Sequence, residues 1–96
     1  RAAAPERFTV QLVTAPETDA AWLENFLLRA TELLGGTELY VYSWRVNGRQ
    51  NYLVAAGNYE SVQQASDAIT RLPMPLKQYK PYPESIAMMR RHNAQD

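Results

Sequence analysis

Cysteine is absent from the chain, which excludes disulfides, thiol nucleophiles and thiolate metal sites and leaves the redox compartment open. There is one histidine, His92, and one imidazole without thiolates does not furnish the ligand set of a zinc site. No run approaches the roughly 20 apolar residues of a membrane span, and no signal-peptide pattern opens the chain. An excess of charge is also missing. Ten basic and ten acidic residues cancel, so there is no net field to gather nucleic acid or an anionic membrane. No glycine-rich phosphate loop occurs. Glu24, Glu32, Glu60 and Asp67 fall on predicted helix surfaces or turns, with no two brought together as glycosidase chemistry requires. No cofactor is implied, and the expectation is a protein that is not an enzyme.

What is present is one small domain. At 96 residues and 46% hydrophobic, the chain can bury a single core. The opening RAAAPER (residues 1–7) has the composition of an Ala/Pro linker and is expected to be the remnant of one. Residues 8–91 are then the domain and 92–96 a frayed tail. Any anchor or targeting segment would belong to a longer parent protein.

The most informative stretch is Leu39–Gly57. Two runs rich in Val, Tyr, Trp and Leu flank Asn47-Gly48, the strongest short-range signal for a two-residue type I′ hairpin turn. That turn pairs Val46 with Arg49, Trp44 with Asn51, Tyr42 with Leu53 and Tyr40 with Ala55 on one side of the ribbon. Leu39, Val41, Val54 and Ala56 lie on the other side and suit a helix packed above them.

Before the hairpin, Phe8–Val13 alternates as a half-buried strand, with Phe8, Val10 and Leu12 inward and Thr9, Gln11 and Val13 on the opposite face. Thr14–Glu17 turns the chain. Leu23, Phe26, Leu27, Ala30, Leu33 and Leu34 then form one helical stripe that Gly35-Gly36 ends, with Trp22 off its centre and placed to close against the turn. After the hairpin, Glu60-Ser61 caps a second helix with the stripe Val62, Ala65, Ala68, Ile69 and Leu72, stopped by Pro73 and Pro75. Leu76–Lys80 reads as a short last strand at an edge, and Pro83–Arg91 as a two-turn helix with Pro at its start.

The fold class is therefore α+β, the split β-α-β-β-α-β pattern of ferredoxin-like proteins. It has an antiparallel four-stranded sheet with the first and third strands central, two helices on one face, and a short C-terminal helix. The other face is left open.

FTVQL in the first strand, the VNGR turn, a strand ending in Gly57-Asn-Tyr59, and a helix beginning SVQQA resemble the SPOR domain in order and spacing. The trailing YKPYPESIAMMRRH is similar to the DamX-type branch, which carries an extra C-terminal helix. The resemblance covers residues 7 to 91. It implies a non-enzymatic peptidoglycan-binding module that recognises glycan strands stripped of stem peptides and gathers at the division septum. It also implies a periplasmic location, as the C-terminal domain of a membrane-anchored bacterial protein, acting as a monomer with other division proteins as further partners. The family's glycan lies across the open sheet face with a strand-one Gln among the contacts, here Gln11. Two positions depart from the pattern. Asn58 stands where the family has Pro, and Asn51 stands where DamX-type relatives carry an aromatic. Trp44, directly across from Asn51, is placed to present its ring there instead.

The residue types suit a sugar. Tyr40, Tyr42 and Trp44 offer flat rings for the apolar C–H face, and Gln11, Asn51, Thr9 and Thr14 offer neutral donors and acceptors for the hydroxyl rim, with Leu53 between them. Stacked rings contribute roughly 1–3 kcal/mol each in the related case of nucleic-acid bases, which after association costs implies micromolar binding at best.

Plainer readings stand beside these. Strand aromatics pack well on pleated surfaces, and the C-terminal helix folded over the face, with Ile86 and Met89 as cover, is the structural alternative. Three rings of about 150–250 Å² each exceed what two helical turns hide. Met88 and Met89 read as packing, His92 as part of a solvated tail, and Arg90 and Arg91 as dipole-opposing charges at a helix end. A ferredoxin-like protein-interaction domain binding a partner peptide at an edge strand is a rival of another class. An RNA-binding fold shares the topology, but the third strand lacks its aromatic signature. Tyr79 is open between site and core.

Overall fold

Asn47 and Gly48 take φ of 52° and 77°, as a type I′ turn requires. The strands they join, β2 (Leu39–Val46) and β3 (Arg49–Tyr59), pair Val46 with Arg49 through Leu39 with Ala56. In this computed structural model, which describes residues 6–94 and side chains as far as Arg90, β1 (Phe8–Pro16) precedes the hairpin. A 3-10 turn (Glu17–Asp19) and α1 (Ala20–Leu34) connect them. After it come α2 (Val62–Thr70), α3 (Met74–Lys77), β4 (Tyr82–Ser85) and α4 (Ile86–Ala94). The strands form one antiparallel sheet in the order β2-β3-β1-β4, an α+β ferredoxin-like architecture with the expected central pair.

One face of the sheet carries the main core. Val10, Leu12, Val13, Val54 and Ala56 meet Leu23, Phe26 and Ala30 of α1 and Ala65 of α2. Gly35, at φ 59°, ends α1. Ser61 caps α2 by accepting from the Gln64 N–H at 3.1 Å, while the Gln64 side chain accepts from the Glu60 N–H at 2.9 Å. Val62 and Val41, read above as core, are 50% and 49% exposed. Val62 starts its helix, and Val41 lies on the outermost strand, beyond the reach of the helical layer.

β1 departs from simple alternation. Gln11 pairs with Ala55 but Val13 with Val54, so Leu12 is an extra, bulged residue. A bulge shifts the alternation by one. Val13 and Ala15 therefore join the main core, and Thr14, paired with Leu53, passes to the opposite face. Val13 was expected on that opposite face.

The last strand is also displaced. Leu76–Lys80 is not a strand. Pro75 sits in the first turn of α3, where its missing N–H costs nothing, and Leu76 plugs the core at 2% exposure. Lys80 at φ 54° turns the chain, and Tyr82–Ser85 pairs with β1 instead. Pro83, expected to open a helix, lies in an edge strand, where one side needs no ladder donor. α4 then begins at Ile86 and continues to Ala94, through the positions read as tail. The side chains of Arg91 and His92, and residues 1–5 and 95–96, fall outside the described set.

Arg7, assigned above to the linker, is tied to the domain. Its guanidinium donates to Asn58 at 2.7 Å and lies 3.7 Å from Glu60, and its carbonyl accepts from the Ile86 N–H at 2.9 Å.

Candidate functional site

The sheet face opposite α1 and α2 is built from three rows. Tyr40, Ala55, Gln11 and Tyr82 cross all four strands; Tyr42, Leu53 and Thr14 form the next row, and Trp44, Asn51 and Pro16 the third. The hairpin turn sets the register of the first two strands, and the Leu12 bulge sets where β1 adds its polar groups. Gln11 and Thr14 thus share a face despite their odd spacing.

α4 packs onto part of this face. Met89, 2% exposed, closes over Leu53 and Ala55, and Tyr42 and Trp44 pack against the cluster these three form. The structural alternative is realised in part: Met89 is the cover, while Ile86 is buried where β4 passes into α4. Leu53, at 8% exposure, is core and not a ligand contact. Thr9 is also removed from the candidate set. It is fully buried, and its hydroxyl donates to the Ala56 carbonyl at 2.9 Å, which leaves nothing to offer a ligand.

Six of the eight expected residues remain reachable. Tyr40, Tyr42 and Trp44 are half-buried along β2, with the first two rings 6.4 Å apart and tilted by 36°. The Tyr40 hydroxyl donates to Glu38 at 3.1 Å. Partial burial, then the Glu38 carboxylate, holds this phenol above its ordinary range, so it is neutral at neutral pH. Trp44 stands directly across from Asn51. Asn51 donates to the Arg49 carbonyl at 3.3 Å, and its Oδ1 has no partner among the described residues. Thr14 is exposed.

Gln11 has a partner that the sequence reading did not supply. The Tyr82 hydroxyl donates to its Oε1 at 2.9 Å. This fixes the amide so that its NH₂ group, unpartnered among the described residues, is left as a donor to solvent or ligand. The only signal for Tyr82 is its alternation with Glu84 across Pro83, and its place between Pro81 and Pro83 reads more readily as a break. Tyr79 belongs elsewhere: its ring meets Phe26 edge-on at 5.4 Å and Trp22 at 6.2 Å, in the helical layer.

Chemically, the face combines ring surfaces with fixed neutral donors and acceptors. Among the described residues no group of three or more His, Cys, Asp or Glu could hold a metal ion, and no helix is long and apolar enough to cross a membrane. Comparison of the chain with protein-family models and with curated proteins yields no match.

Proposed function

We propose that this face binds peptidoglycan glycan strands lacking stem peptides, and that the chain is a non-catalytic, SPOR-like module that brings its parent protein to the bacterial division septum in the periplasm. The observation that carries the reading is the Tyr82–Gln11 bond within a row that also holds Tyr40. It presents an oriented amide donor at the level of an aromatic surface, the pairing that an N-acetylated sugar with one apolar face requires. The reachable site residues carry no formal charge, so ring contacts and neutral hydrogen bonds would carry the recognition. Burial of Leu53 and Ala55 beneath Met89 narrows the accessible face, so affinity rests on a few contacts and is micromolar in order, with repeated sites along a strand raising occupancy.

Co-sedimentation with purified sacculi, before and after an amidase removes the stem peptides, tests the reading. Stronger pelleting after stripping, lost in folded Gln11→Ala and Trp44→Ala variants, is the expected result. Absence of pelleting in both preparations refutes it.

A further inference from the structure

β1 is paired with β3 from Phe8 to Pro16, but β4 reaches only from Phe8 to Gln11. Extending the same register would set Pro81, Lys80 and Tyr79 beside Leu12, Val13 and Thr14. The chain does not continue that way. Lys80 at φ 54° turns it aside, Pro81 has no N–H to give, and Tyr79 leaves to pack on Phe26. Among the described residues no turn or loop backbone bonds to Leu12–Ala15 in its place. The outer edge of this segment therefore has no backbone partner among the described residues, although Leu12, Val13 and Ala15 are only 3%, 7% and 4% exposed, and an unpaired strand edge is a template for another strand.

A cavity of about 500 Å³ lies against this edge, lined by Leu12–Ala15, Asp19, Trp22 and Tyr79. Trp22 and Tyr79 are 42% and 40% exposed although both pack on Phe26, so each shows ring surface to solvent. Asp19 is the only charged side chain of the lining. It occupies the N-cap position of α1 without capping it, and it makes no hydrogen bond or ion pair among the described residues.

We infer that this edge is a second binding site, which takes an extended peptide. The peptide adds as a strand where β4 stops, seats an apolar side chain against Trp22 and Tyr79, and brings a lysine, arginine or terminal amine to Asp19. A small molecule filling the cavity would leave the strand edge unpaired, whereas an extended backbone satisfies it at the strand's own period. The unpartnered carboxylate in an otherwise uncharged lining sets the sign of the ligand's charge. Val13 and Ala15 belong to the helix side of the sheet, and Thr14, which faces the aromatic side, is the lining residue that the two sites share.

The probe is a blocked heptapeptide of alternating valine and lysine with a central phenylalanine, titrated into the full chain and followed by amide and indole NMR shifts. Expected are shifts at Val13–Ala15 and the Trp22 indole, about fivefold weaker binding in Asp19→Asn, and no binding of the same peptide N-methylated at alternate amides. A glutamate-for-lysine peptide also fails to bind. Any of four results overturns the inference: no shifts at millimolar peptide, equal binding by the N-methylated form, shifts confined to the Tyr40–Trp44 face, or concentration-dependent self-association that occupies the same edge without peptide.

Discussion

The Tyr82 hydroxyl donates to Oε1 of Gln11 at 2.9 Å, across the β1–β4 ladder and between residues 71 positions apart. Because both side chains are on the surface, the bond adds little to stability, and its effect is to hold the amide in one orientation. In Tyr82→Phe the ring stays and the bond is lost. The expected result is a midpoint of unfolding close to wild type, with binding to stripped glycan weakened by roughly 1 kcal/mol, or about fivefold. Binding equal to wild type would show that the amide needs no such partner.

Thr9 tests the other boundary of the site. Its hydroxyl is spent on Ala56 within the sheet, so Thr9→Val is expected to cost about 1–2 kcal/mol in urea unfolding. Glycan binding per folded molecule should be unchanged. A selective loss of binding would return Thr9 to the contact set.

Met89→Ala removes the cover from Leu53 and Ala55. Large-to-small changes at buried methionine cost about 2–5 kcal/mol. The lower end is expected here, because this cluster is a satellite of the main core. Circular dichroism against urea gives the value, and a cost under about 0.5 kcal/mol would mean that α4 is not held by this contact.

Gly57 and Gly48 both have positive φ, of 80° and 77°, but only one is crowded. A Cβ at Gly57 would meet the Tyr59 ring at 2.5 Å, whereas at Gly48 nothing lies within 4 Å. Gly48→Ala should cost about 1 kcal/mol of backbone strain, and Gly57→Ala about 2–3 kcal/mol as the half-buried Tyr59 ring is displaced. Equal costs in thermal unfolding would show that the ring moves freely.

Local chemistry explains which parts of the fold were legible in advance. Asn47-Gly48 admits one tight turn, and that turn alone decides that Tyr42 faces Leu53 and Trp44 faces Asn51. Ser61 and the Gly35 terminus are similarly local. The misreadings arose where a residue's role depends on its partner strand. Leu12 looks like any other strand residue, and only the pairing of its neighbours Gln11 and Val13 with the adjacent Ala55 and Val54 makes it a bulge. Pro75 was read as a helix stop and Pro83 as a helix start, but the first fits the opening turn of a helix and the second a sheet edge.

The site divides in the same way. By itself the sequence determined the fold class, the hairpin register and the sharing of one face by Tyr40, Tyr42, Trp44, Asn51 and Gln11, because turn geometry and a period of two need no distant partner. Only the tertiary structure decided that Thr9 and Leu53 are buried, that Met89 closes over the middle of that face, and that Tyr82 orients Gln11. Burial and hydrogen bonding between residues far apart in the chain depend on how its segments pack, and no local pattern records that packing.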